Sequence, residues 1–129
     1  MTTYEKHLSE PWFSLVKLKI KQVEGRLNSG DFEKMAVGDR ILFKNGDMGF
    51  ERTALVEIKK ITNYADFRTY LEKETLERCL PGIDSIEDGL GVYYKYYKMR
   101  DELEHGIKAL TLKPDAPKPK RKRSRASKK

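Results

Sequence analysis

Five short runs with β patterning, none of them a long helical repeat, are spread along the chain with helical segments between them, and this alternation limits the fold more than any other feature. The runs are Tyr4 to Leu8, Lys21 to Leu27, Arg40 to Lys44, Glu51 to Ile61 and Gly106 to Leu112. Each alternates apolar and polar residues or is rich in Val, Ile and Thr, as half-buried strands are. The run from Glu51 alternates imperfectly, which predicts a bulge. Asn45-Gly46 supplies the positive backbone angles of a hairpin connection between two of the runs.

Helical spacing follows Ser9-Glu10-Pro11, where Ser9 is expected as the cap and the proline in the first turn, through Trp12, Leu15, Val16 and Lys19. Phe32 to Met35 fits one helical turn, and Asp66 to Glu74 a short helix. Ser85-Ile-Glu-Asp enters a helix that continues through Val92, Tyr93, Tyr96 and Tyr97 despite Gly89 and Gly91. Five strands and about three helices in mixed order predict an α+β fold, a small mixed β-barrel with helices packed on its flank.

The charge is unevenly placed. The chain has 129 residues, 27 basic and 20 acidic. From Lys113 onward there are nine Lys or Arg and one acid, Asp115, so this 17-residue segment carries about +8 while residues 1–112 hold 18 bases and 19 acids. Three of the five prolines lie there, and no apolar residue larger than alanine follows Leu112. Such a segment has nothing to bury, so a domain over 1–112 and a disordered tail over 113–129 are expected. Lys118, Lys120, Arg121, Lys122, Arg123, Arg125, Lys128 and Lys129 resemble a nuclear-import signal that an import receptor reads; the same cluster would condense on phosphates, or simply solubilise the chain. Phosphorylation of Ser124 or Ser127 would weaken the first two roles.

No stretch approaches the ~20 apolar residues that cross a bilayer, and Met1-Thr-Thr-Tyr-Glu-Lys lacks the apolar core of a secretory signal. An intracellular protein without membrane contact is expected, nuclear if the source is eukaryotic or viral and cytoplasmic otherwise. One cysteine, Cys79, forms no intrachain disulfide, and with only His7 and His105 as imidazoles no metal site and no cofactor are expected. A monomer is expected.

The segment Lys19-Ile-Lys-Gln-Val-Glu-Gly-Arg26 carries the chemistry. Strand alternation puts Val23, Gly25 and Leu27 on one face and Gln22, Glu24 and Arg26 on the other. Glu24 and Arg26 are then either a solvated surface ion pair or an acid and a guanidinium aimed into one groove.

With these residues the sequence resembles the ASCH domain family of the PUA-like superfamily, whose signature is Gly-x-Lys-x-x-Glu-x-Arg after a helix. Lys21, Glu24 and Arg26 stand in the charged places, and Lys19 replaces the glycine. Further landmarks follow in the family's order: Glu5-Lys-His-Leu, Glu10-Pro-Trp-Phe, Val37-Gly-Asp-Arg-Ile-Leu-Phe, Asn63-Tyr-Ala-Asp-Phe, Leu80-Pro-Gly and His105-Gly-Ile-Lys-Ala-Leu. The resemblance spans about residues 4–112. It implies a five- or six-stranded PUA-like barrel with a cleft, lined by the motif, for RNA or a modified nucleoside. Lys19 would add a second cation there, and the helix before it would have to end without a left-handed cap.

Ligand contacts would then come from Lys21, Glu24, Arg26, Lys19 and His7, with an aromatic face for stacking. Trp12 and one of Tyr93, Tyr94, Tyr96 or Tyr97 could supply it; core packing is expected for Trp12, Phe13, Tyr93 and Tyr97, and Tyr94, which falls between the apolar positions, is expected to face outward. Lys21→Ala and Arg26→Ala are expected to weaken binding and leave stability nearly unchanged.

The resemblance also carries alternatives. Some members are amidohydrolases on N(4)-acetylcytidine with Lys, Thr and Glu, but the threonine place is Glu24 here, so catalysis would need Glu24 as a base for water and Lys21 polarising a carbonyl. For a ribonuclease, Lys21 and Arg26 would stabilise phosphate while Glu24 or His7 moves protons. A transcription coactivator-type interaction module is a third reading.

Overall fold

The structure, a computed structural model, describes residues 1–113. The expectations of disorder, import and phosphate contact placed on the basic segment therefore concern residues that, from Pro114 on, lie outside the described residues. Along the chain come β1 (Thr3–His7), α1 (Trp12–Lys17), β2 (Val23–Leu27), α2 (Asp31–Lys34), β3 (Arg40–Asn45) and β4 (Arg52–Tyr64). They are followed by α3 (Phe67–Glu74), α4 (Leu76–Cys79), α5 (Ile86–Tyr94), α6 (Met99–His105) and β5 (Ile107–Lys113).

The strands form one curled half-barrel sheet in the order β1-β3-β4-β5-β2. Only β1 and β3 run parallel, with Thr3 opposite Arg40 and His7 opposite Lys44. β4 is 13 residues long and pairs with β3 and with β5. The expected bulge lies within it: the register with β5 shifts between Ile58 and Lys60. An extra residue there bends the strand and increases its twist, so one strand can serve two neighbours in a curled sheet.

Both faces of the sheet are covered, which β5 makes plain. Leu110 and Leu112 join Phe13, Val16, Ile41, Phe43, Val56 and Ile58 in one core, while Ile107 and Ala109 join Val23, Phe67, Tyr70, Leu71 and Leu80 in the other. Each large side chain buried this way contributes about 1.5–3 kcal/mol. Lys108, between Ile107 and Ala109, is also buried; its Nζ donates to the carbonyls of Glu33 at 3.1 Å and Met35 at 2.7 Å, closing the C-terminal end of α2.

Six helices are present among the described residues, where about three were expected. α2 and α4 are single turns of four residues. α6 has no apolar stripe to betray it, because the residue it buries is Glu102. That carboxylate accepts from Phe67 N at 2.7 Å, at the start of α3, and from Tyr94 Oη at 2.8 Å, at the end of α5. α5 stops at Tyr94, and the chain turns through Tyr96 and Tyr97, whose amides both donate to the Tyr93 carbonyl.

At the start of α1 the cap differs from the sequence expectation. Pro11 is the N-cap and makes no side-chain cap bond; Glu10 replaces Ser9 in that role, accepting from Ser14 N at 3.0 Å and Ser14 Oγ at 2.7 Å. Arg52 Nη2, 2.7 Å from the same carboxylate, holds it there. Asp66 and Ser85 do cap α3 and α5, accepting from Thr69 N and Asp88 N.

Candidate functional site

The sheet is not closed by a ladder between its two edge strands, β1 and β2. A cavity of about 340 Å³ lies there, with β2 as its floor, the end of β1 and Trp12 of α1 on one side, and α5 with the turn after it on the other. Arg26 spans the seam, its Nη2 donating to the carbonyl of His7 at 3.1 Å.

Glu24 lies at the floor with its side chain 6% exposed, gripped from both sides: Oε1 is 3.2 Å from Lys21 Nζ and Oε2 accepts from Arg26 Nε at 2.5 Å. The Lys21 side chain is 1% exposed. Its ammonium also donates to the carbonyl of Val23 at 2.6 Å and to that of Cys79. An ammonium has three N–H donors, so all of them are turned inward. Lys21 therefore ties β2 to α4 and aims Glu24; it is no surface charge, and the expected indifference of stability to its loss is corrected.

Burial pushes the Glu24 carboxyl up, but Arg26 and then Lys21 outweigh burial and hold it below its ordinary 4.5. At neutral pH the floor is an ionised carboxylate. Arg26 is subject to the mirror balance: burial disfavours its charge, Glu24 more than restores it, and its pKa is raised. Removing charges from water costs several kcal/mol per ion unless geometry and hydrogen bonds compensate, and here each charge has a partner at bonding distance.

The walls are aromatic. Trp12, Tyr93, Tyr96 and Tyr97 line the cavity, and Phe67 stacks behind two of them, 4.4 Å from the Tyr93 ring and 5.5 Å from Tyr97. The Tyr93 and Tyr70 hydroxyls are 2.9 Å apart, and burial raises both phenols well above their ordinary range, so they stay neutral. Tyr96 is 65% exposed and reaches over the mouth, its hydroxyl 3.4 Å from Ser9 Oγ.

Of the residues named from sequence, His7, Lys21, Glu24 and Arg26 come together here. Tyr94 does not: its hydroxyl donates to Glu102 and its ring packs edge-on against Phe67, away from the cavity. Lys19 lies in a separate shallow hollow with Ile20, Gln22 and Arg78. It keeps the left-handed conformation, φ +68°, which a family glycine would adopt without strain. Lys19 N donates to the Val16 carbonyl and Ile20 N to that of Leu15, so α1 ends in a Schellman motif after all.

The sequence reading missed Ser9, and although it offered Trp12, Tyr93, Tyr96 and Tyr97 as stacking faces it favoured the core for Trp12, Tyr93 and Tyr97 and singled out Tyr94; the structure puts all four in the cavity wall. A signal was available: Tyr93-Tyr94-Lys95-Tyr96-Tyr97 holds more rings than one buried stripe can use. Cys79 is buried, and burial pushes its thiol up to about 11. Among the described residues no group of three or more His, Cys, Asp or Glu could hold a metal ion, and no helix is long and apolar enough to cross a membrane.

Residues 7–114 match the ASCH domain family. The crystal structure of the hypothetical protein PH0355 is similar, with a TM-score of 0.78 and 35% identity over 88% of this chain and 99% of that one. The solution structure of protein PF0455 from Pyrococcus furiosus has a TM-score of 0.71 and 38% identity over 87% of this chain and 96% of its own. No curated protein matches.

Proposed function

Because this chain belongs to the ASCH domain family, whose members generally bind RNA, we propose that it binds RNA or a modified nucleoside by seating one unpaired base in the cavity over Glu24. The observation that carries the reading is an ionised carboxylate at the floor of a small pocket with aromatic walls. A volume of about 340 Å³ is near the lower end of the ~300–1,000 Å³ of small-molecule sites, which suits a single nucleoside and is too small for a base pair. Single-stranded RNA is read in this way, by splayed bases stacked on aromatic rings and hydrogen-bonded along their edges.

The geometry favours binding over hydrolysis. Lys21 has no N–H left to polarise a carbonyl, and Glu24, with both oxygens paired and its pKa lowered, is a weak base for water. The basic residues after Lys113 would add salt-dependent affinity for the backbone phosphates.

Trp12 is the chain's only tryptophan and lines the cavity, so its emission reports on the site itself. Titration of the full chain with short single-stranded RNA should change that emission saturably. Tyr96→Ala, at an exposed position, should weaken binding about tenfold, in line with one lost stacking face. RNA binding that leaves Trp12 emission unchanged and is indifferent to Tyr96→Ala would overturn the assignment.

A further inference from the structure

We propose that the base seated over Glu24 is guanine, read along its Watson–Crick edge. The inference rests on the reading above and concerns which base the cavity selects. A carboxylate has about four lone-pair sites; Lys21 takes one on Oε1 and Arg26 one on Oε2, which leaves each oxygen able to accept once more. Two acceptors side by side match two donors side by side. Guanine offers such a pair, N1–H and N2–H, whereas adenine and cytosine present one amino group there and uracil only N3–H.

Arg26 sharpens the match. Its guanidinium has five N–H donors, of which Glu24, the His7 carbonyl and the Tyr97 hydroxyl engage three, leaving two. It stands beside the carboxylate and lines the same cavity, so a base with an acceptor next to its two donors is complementary to the pair. Guanine carries O6 next to N1–H. The carboxylate is ionised and its side chain is only 6% exposed, which strengthens hydrogen bonds donated to it. Lys21 is then a positioning residue: its hydrogens hold Glu24 and two carbonyls rather than the ligand.

The test compares RNA pentamers UUGUU, UUIUU, UUAUU, UUCUU and UUUUU on the full chain, read by Trp12 emission. Inosine lacks only the N2 amino group of guanine, so UUGUU should bind at least about tenfold tighter than UUIUU, the effect expected of one charge-assisted hydrogen bond. Glu24→Gln should bring that ratio close to one; if this variant does not fold, the wild-type ratio alone decides. Affinities of UUGUU and UUIUU within about twofold, or tighter binding of another pentamer, overturn guanine selection while leaving base binding in place. If no pentamer binds, the RNA reading of the cavity falls, and this inference with it.

Discussion

The ring of Tyr70 fills the space that a side chain at position 25 would need: a Cβ on Gly25 would lie 2.4 Å from Tyr70 Cζ and 2.6 Å from its hydroxyl. The glycine between Glu24 and Arg26 is therefore a close-approach residue. It lets the hydroxyl end of Tyr70 press against β2, where its hydroxyl meets that of Tyr93, a wall of the cavity.

Gly25→Ala should destabilise the protein by about 2 kcal/mol, as overpacking of a rigid, fully buried ring does, and should weaken RNA binding by shifting Tyr93. Urea unfolding measures the first effect. An unchanged midpoint would mean that Tyr70 moves aside without cost.

Lys21→Met should cost about 3–5 kcal/mol, because it leaves the buried Glu24 with one partner and deprives the carbonyls of Val23 and Cys79 of their donor. Thermal unfolding of the two proteins gives the comparison. A stability equal to wild type would show that water replaces the ammonium.

Glu24 has a folded pKa below its ordinary 4.5. A depressed carboxylate contributes stability that is fully present above the unfolded value and is lost as pH falls through the folded one. Asp39, held down first by the Thr2 amide and also by that of Ala36, adds the same sign below its ordinary 3.8. Urea midpoints should therefore decline below pH 4.5, and the decline should be shallower in Glu24→Gln; parallel curves would remove Glu24 from this role.

Lys19→Gly should stabilise the protein by about 1 kcal/mol, since it relieves a left-handed φ of 68° in a residue with a Cβ and keeps the Schellman hydrogen bonds. Because Lys19 lies outside the cavity, RNA affinity should not change. A loss of stability would mean that the lysine side chain contributes more than its backbone costs.

Most strands were legible because their signal is local. The alternation over Val23–Leu27 and Arg40–Asn45, and the break in alternation that marks the β4 bulge, are properties of neighbouring residues. The Lys-x-x-Glu-x-Arg spacing was equally visible. α6 was not, because its one buried side chain is a carboxylate whose partners, Phe67 and Tyr94, lie at least eight residues away.

By itself, then, the sequence determined which segments are strands, the close pairing of Glu24 with Arg26 on one strand face, and the confinement of excess positive charge to the residues from Lys113 on. Alternation defines two faces of a strand but does not say what covers either one. Only the tertiary structure decided that the polar face of β2 looks into a cavity. The curl of the sheet carries His7 to Arg26, and the turn after α5 brings Tyr96 and Tyr97 over Glu24 from some 70 residues along the chain. Burial and the strength of a charge depend on such distant neighbours, so a pair that reads as a solvated ion pair becomes a buried, ionised site.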